Sequence, residues 1–162
     1  MYKRQVLEPL DQLKKEGFNI TAMSPEKDGL ISEEKFIDSI RDDTFLVSIM
    51  MANNEIGVIQ PLKEISEICS SRDIVLHSDY AQCLGFLELD SLDSVANMLT
   101  ISSHKIYGPK GVGILLIDRD IELQPLVLGG GQEFGLRSGT LPLPLIVAVS
   151  YTHLTLPTIL LV

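Results

Sequence analysis

Lys105 stands in the segment Ser102-Ser103-His104-Lys105-Ile106-Tyr107-Gly108-Pro109-Lys110-Gly111, directly after the apolar run from Asn97 to Ser102. An amine held at the end of a rigid strand, between small polar residues and a glycine-rich turn, suits Schiff-base chemistry. Taken alone the segment reads more readily as a surface lysine in a loop, so its company decides. Upstream, His77-Ser78-Asp79-Tyr80-Ala81-Gln82 offers a carboxylate and, three residues on, an amide. An enzyme using pyridoxal phosphate needs a lysine amine, a carboxylate that keeps the pyridine nitrogen protonated, a donor toward the phenolic oxygen and a phosphate cup. Lys105 and Asp79 answer the first two needs, Gln82 the third, and Ser102 with His104 the fourth. Each piece has a plainer reading: Asp79 and Gln82 as caps of a turn, His104 as a loop histidine, Asn53-Asn54-Glu55-Ile56-Gly57 as a turn. His77-x-Asp79 makes two metal ligands, short of the set a metal site needs, and no metal is expected. Gly129-Gly130-Gly131 is followed by no Gly-Lys-Ser/Thr, and no dinucleotide fingerprint occurs.

These groups need a frame. Val6, Leu7, Leu10 and Leu13 recur at helical spacing, with Gly17 as the stop. Phe18 to Met23 reads as a short strand. Ser32 caps a second helix with Phe36, Ile37 and Ile40 on its apolar side. Thr44 to Met50 is a nearly continuous apolar run, the pattern of a strand covered on both faces. Pro61 suits the first position of a helix whose buried stripe is Leu62, Ile65, Ile68 and Cys69. Ile74 to His77, Met98 to Ile101 and Gly113 to Ile117 read as further strands. The alternation predicts an α/β fold, a mostly parallel sheet with helices on both faces. In such sheets ligands gather beyond the carboxyl ends of strands. Asn53 and Asn54, Asp79 and Gln82, and Ser102, His104 and Lys105 all follow strand ends, which favours the cofactor reading over the plainer ones.

The bulk properties fit a globular enzyme. The 162 residues are 45% hydrophobic and 22% charged, enough for a core of about one domain. A net charge of −9 argues against nucleic acid and anionic membrane surfaces as partners. Polar Ser150 and Thr152 interrupt the apolar run after Leu141, so no membrane span is expected. Two cysteines, Cys69 and Cys83, form neither a CxxC pair nor a disulfide framework, which suits a reducing cytoplasm or organelle matrix. Cys69 falls on an apolar helix face, and nothing near Cys83 marks it as a nucleophile.

Both ends look foreign. One choice of codons turns Met1–Gln5 and Val149–Thr158 into the two orientations of a transposase sequencing adapter. Residues 1–5 and 149–162 are therefore expected to be non-native and residues 6–148 to be a partial cofactor-binding large domain, with His153 carrying no function. Without Lys3 and Arg4, 11 basic and 22 acidic residues remain, a net charge of −11.

Four segments together, in order and spacing, resemble the cysteine desulfurases of the housekeeping branch that feeds iron–sulfur cluster assembly, within the class-V aminotransferases. They are Asn53–Gly57, His77–Gln82, Ser102–Gly111, and Gly129-Gly130-Gly131-Gln132-Glu133 through Arg137-Ser138-Gly139-Thr140-Leu141-Pro142. The resemblance covers essentially residues 6–148 and implies the large domain of a fold-type I transferase. It implies that Lys105 is the lysine joined to pyridoxal phosphate, which also moves the substrate's Cα proton. Asp79 matches the partner of the pyridine nitrogen, Gln82 the donor to the phenolic oxygen, and Asn54 the asparagine near cofactor and substrate. Ser102 and His104 match phosphate ligands, and Thr140 the threonine that reaches the phosphate of the neighbouring subunit, which implies a homodimer.

The implied reaction converts L-cysteine to L-alanine and passes the sulfur as a persulfide to a cysteine on a mobile loop. That loop lies beyond Thr140 in the family, and neither Cys69 nor Cys83 fits it. The family's ring-stacking histidine and its carboxylate-holding arginine also have no match here, so the chain is expected to be an incomplete site, inactive alone. A sulfur-acceptor scaffold protein is an implied partner, although Asp118-Arg119-Asp120-Ile121-Glu122 is mixed to acidic where some members carry a basic docking patch. Phe134 replaces a position often basic, and Tyr80 and Cys83 are local variations. The alternatives are a selenocysteine lyase or cysteine-sulfinate-type relative, another aminotransferase of the same fold, and a non-catalytic fragment.

Overall fold

The computed structural model describes residues 4–86 and 95–159, with the backbone alone for 153–159. Expectations for residues 1–3, for 160–162 and for the side chain of His153 lie outside the described residues. The chain divides into two compact units, residues 1–44 and 45–162.

The first unit holds α1 (Arg4–Lys15) and α2 (Glu33–Ser39). Val6, Leu7, Leu10 and Leu13 are the half-buried residues of α1, the stripe its spacing predicts. Gly17, at φ +101°, ends the helix in a conformation that favours glycine. Ser32 caps α2 by accepting from the Lys35 amide at 3.4 Å, and Phe36 is buried. Phe18–Met23, expected as a strand, is irregular. An extended segment becomes a strand only beside a neighbour that offers a ladder, and here side chains take that place. Arg41 donates to the Asn19 carbonyl at 3.1 Å and to Thr21 Oγ1, while Asn19 donates to Asp43 at 3.0 Å. The Asn19 and Arg41 hydrogen bonds hold the Asp43 carboxyl below its usual range.

The second unit is built on a four-stranded sheet in the order β1-β2-β3-β4. Its strands are β1 (Leu46–Met50), β2 (Val75–Asp79), β3 (Met98–Ser102) and β4 (Gly113–Ile117). The first three are parallel, and β4 returns antiparallel to β3. The helices are α3 (Leu62–Ser71), which packs against β2, and α4 (Leu143–Ile159), which packs against the turn after β3. This is the mostly parallel α/β sheet that the alternation of elements predicts. Two details differ. Pro61 sits one residue earlier than expected, as the cap of α3. The run expected to be covered on both faces is only partly covered, with Phe45 61% and Leu46 40% exposed, and among the described strands it lies at the edge of the sheet. None of the described helices is long and apolar enough to cross a membrane.

The core lies between α3 and the sheet. Leu62, Ile65 and Cys69 of α3 and Leu76 of β2 are each 1% exposed. Burying such side chains contributes about 1.5–3 kcal/mol each. A second cluster of Tyr80, Cys83, Leu84, Leu99, Ile101 and Ile106 backs the ends of β2 and β3. Asn97 ties the strand starts together: its Oδ1 accepts from the Leu76 amide at 2.8 Å and its amide donates to Asp118 at 2.9 Å.

After β3 the chain enters a 3-10 turn at Ser103–Ile106, not an open loop. The Ser103 amide donates to Val112 at 3.2 Å, and the Gly108 amide donates to the Ser103 carbonyl at 3.0 Å. Tyr107 takes the left-handed conformation at φ 63° to close the turn. A Cβ at Gly108 would collide with Ser103 Oγ and approach its carbonyl oxygen to 3.0 Å, so the turn needs glycine there.

Gly108→Ala forces the turn to shift and costs about 1–3 kcal/mol in denaturant unfolding, and Gly57→Ala, with open space at its Cβ, is strained by its φ of +72° alone. Burial raises the Cys69 thiol pKa, and burial followed by the charge of neighbouring Cys83 raises the Tyr80 hydroxyl. Both groups are held neutral in the fold. Their stabilising share is therefore complete below the ordinary values of 9.0 and 10.0 and is lost as pH rises through the raised folded values. Unfolding measured across the alkaline range should show stability falling there, and Tyr80→Phe should make the fall shallower. A thiol reagent should leave Cys69 and Cys83 unmodified until denaturant is added.

Candidate active site

β2 and β3 present the polar groups on one face. Alternation along β2 buries Leu76 and Ser78 and leaves His77 and Asp79 half-exposed on the opposite face. On β3 the buried residues are Leu99 and Ile101, and Thr100 and Ser102 share the half-exposed face. Asp79 is the register partner of Thr100 on β3 and of Met50 on β1. Ser102 is thus two places beyond the neighbour of Asp79, on the same face. The carboxylate and the first hydroxyl expected at the site lie on adjacent strands, at the carboxyl ends where α/β sheets collect ligands.

The turn after β2 is fixed by its own residues. Asp79 Oδ1 accepts from the Ala81 amide at 3.0 Å, and the Tyr80 carbonyl accepts from the Cys83 amide at 3.0 Å. Tyr80, Ala81 and Cys83 are buried, and Gln82 between them is half-buried. The loop after β1 stays tied to the same place, because the Met51 amide donates to the Asp79 carbonyl at 3.1 Å. Asn53 Oδ1 accepts from the Glu55 and Ile56 amides at 2.9 and 3.1 Å, and this turn presents Asn54 exposed.

The lysine turn continues directly from β3. Ser103 and Ile106 are buried and anchor it, while His104 and Lys105 between them are exposed. α4 packs against this turn, and Leu145 Cδ1 lies 3.7 Å from where a Cβ on Gly111 would stand. Val149 of the same helix is buried, so the first turn past residue 148 packs onto the unit whatever its origin.

The Gly-rich segment is a separately braced loop. Val127 bridges to Arg137, the Gly131 amide donates to Ser138 Oγ at 3.2 Å, and the Gly139 amide donates to Gln132 Oε1 at 2.9 Å. Thr140 follows it, exposed. The structure therefore groups Asp79, Gln82, Ser102, His104 and Lys105 on consecutive strand ends, and joins the Asn54 loop to them through Met51. Thr140 belongs to the other loop.

One feature escaped the reading of the residues. His77 Nδ1 is 2.8 Å from Ser48 Oγ, and its Nε2 is 2.7 Å from Thr100 Oγ1. Both ring nitrogens are engaged with hydroxyls. No metal-binding cluster occurs among the described residues. The period-two spacing of His77 and Asp79 was the available signal, but the hydroxyl partners depend on strand register.

The family described as aminotransferase class-V matches residues 5–150. The mitochondrial cysteine desulfurase of Eremothecium gossypii is 49% identical over 148 residues, which are 90% of this chain and 30% of that protein. The cysteine desulfurase IscS of Haemophilus influenzae is 47% identical over 152 residues, 93% of this chain and 38% of that protein. The chain thus spans about a third of the length of these relatives. Among solved structures, SspA in complex with cysteine superposes with a TM-score of 0.88 at 42% identity, over 94% of this chain and 44% of that one. With its strand order, its lysine turn and a family match over nearly its whole length, the chain belongs to the class-V aminotransferases.

Proposed function

We propose that this chain forms the cofactor-holding part of a pyridoxal phosphate-dependent cysteine desulfurase. The observation that carries the reading is the register that sets Asp79 beside Thr100 of β3, which ends at Ser102 and leads into the turn bearing His104 and Lys105. The donor set fits the cofactor's chemistry: one amine, one carboxylate, one amide, and a hydroxyl with an imidazole. The cofactor, when bound, draws electrons from the substrate's Cα. Lys105, exposed on a turn anchored by Ser103 and Ile106, is free to hold the cofactor through Nζ and to move the Cα proton. Asp79 supports a proton on the pyridine nitrogen, and its Oδ1 contact with the Ala81 amide fixes the carboxylate's direction. Gln82 would donate to the phenolic oxygen, Asn54 would stand near cofactor and substrate, and Ser102 and His104 would hold the phosphate. Thr140, on its own braced loop, serves the phosphate of a second subunit.

The substrate in this reading is L-cysteine, released as L-alanine after its sulfur passes to a protein thiol as a persulfide for iron–sulfur cluster assembly. The relatives' names and the cysteine complex of SspA support the choice. A homodimer is supported by the exposed apolar residues between 126 and 147, with Leu126 98%, Leu128 80% and Phe134 102% exposed. A sulfur-acceptor protein is a further partner, and the working compartment is the cytoplasm or an organelle matrix. Both cysteines of this chain are buried, so neither can accept sulfur in the folded protein. The 162-residue chain alone is therefore expected to show no desulfurase turnover, and turnover by it would contradict this account.

The direct test places this segment in a polypeptide of its relatives' full length and adds pyridoxal 5′-phosphate. A protein-bound visible absorbance and cysteine-dependent alanine formation are expected. Lys105→Ala should abolish the first and reduce the second by at least about a thousandfold, the scale expected when a proton-transferring and covalent group is lost. Retention of both by Lys105→Ala would overturn the assignment.

A further inference from the structure

We propose that His77 is a positioning residue for the cofactor site, acting through Thr100 on the carboxylate of Asp79. The inference rests on the reading that Asp79 faces the cofactor. His77 is two residues before Asp79 on the same strand and the same face. Its register partner on β1 is Ser48, and Nδ1 meets Ser48 Oγ at 2.8 Å. Its Nε2 meets Thr100 Oγ1 at 2.7 Å on β3. Thr100 is not the register partner of His77. It is the partner of Asp79, so the ring leans one pleat along the sheet toward the carboxylate.

A neutral imidazole has one donor and one acceptor, and each hydroxyl can serve as either. The chain Ser48–His77–Thr100 is therefore satisfiable as a unit, with one orientation fixing the next. It runs across three parallel strands just below the carboxyl ends that carry the site. It braces two strand pairs whose spacing the backbone ladder sets: β1 with β2, which also bears the Met51-to-Asp79 backbone contact, and β2 with β3, which carry Asp79 and Ser102. Half-exposed polar groups on a sheet face can bond to water instead, so a histidine is not needed to satisfy these hydroxyls. What the ring adds is rigidity between strands and a defined direction for the Thr100 hydroxyl beside Asp79.

The test uses the same full-length polypeptide carrying this segment, with pyridoxal 5′-phosphate as the probe. His77→Ala and Thr100→Val are each expected to weaken cofactor affinity of the apo-protein about tenfold or more and to displace the absorption maximum of the bound cofactor. Their effects should be strongly non-additive in the double variant, because both remove one contact. The apo-protein melting temperature should stay within a few degrees. If His77→Ala does not fold, Thr100→Val, which keeps the side-chain volume, gives the same reading. Unchanged affinity and spectrum in Thr100→Val would overturn the inference, as would a loss of apo-protein stability with the spectrum unmoved. Failure of the underlying cofactor reading is separate: the unsubstituted protein would then acquire no bound absorbance.

Discussion

The pairing of β2 with β3, in the register that sets Asp79 beside Thr100, governs the rest of the unit. Side chains alternate faces along a strand, so a slip of one residue would send Asp79 into the buried face and Ser78 out. Several contacts hold that register. Leu76, Ser78, Leu99 and Ile101 fill the buried side, and Asn97 links the strand starts through Leu76 and Asp118. The Tyr80 amide donates to the Thr100 carbonyl at 2.8 Å, continuing the ladder past the last strand residue. With the register held, the lysine turn follows from covalent continuity, because Ser103 is the residue after the end of β3.

A parallel sheet has an economy that suits this chemistry. Each strand ends at the same edge, so residues distant in sequence arrive together without long side chains having to reach. Residues 79 and 105 are 26 apart in the chain, yet Asp79 ends β2 and Lys105 stands just beyond the end of neighbouring β3. Rigidity comes from the apolar cluster behind them, in which Tyr80, Cys83 and Ile106 belong to the functional turns themselves. Cys83, which has no place among the reacting groups, is explained as core. The exposed residues Lys105, His104 and Asn54 stand on turns whose anchors are buried or bonded to the sheet, a combination that leaves these side chains accessible but held in place.

Much of this was readable from residue pattern. The strands at 46–50, 75–79, 98–102 and 113–117 are marked by apolar runs, and α1, α2 and α3 by helical spacing and the Ser32 cap. The convergence of polar groups followed from those strand ends. What pattern did not supply depends on neighbours. Phe18–Met23 has strand composition, but Arg41 and Asp43 side chains bind it where a ladder would be needed. The run at Thr44–Met50 looks doubly buried, but Phe45 and Leu46 are exposed, because composition alone does not say what packs on each face. The Ser48–His77–Thr100 contacts require knowing which residues face each other across two strand pairs. The need for glycine at 108 is a matter of the Ser103 side chain lying where a Cβ would be.

The most direct measurement of the central claim is the location of the covalent link. The full-length protein carrying this segment is loaded with pyridoxal 5′-phosphate, reduced with borohydride, digested, and its peptides are mapped by mass spectrometry. The account predicts a single pyridoxyl label on Lys105, with Lys110 five residues away unlabelled. A label on Lys110, labels scattered over surface lysines, or no stable label would contradict it.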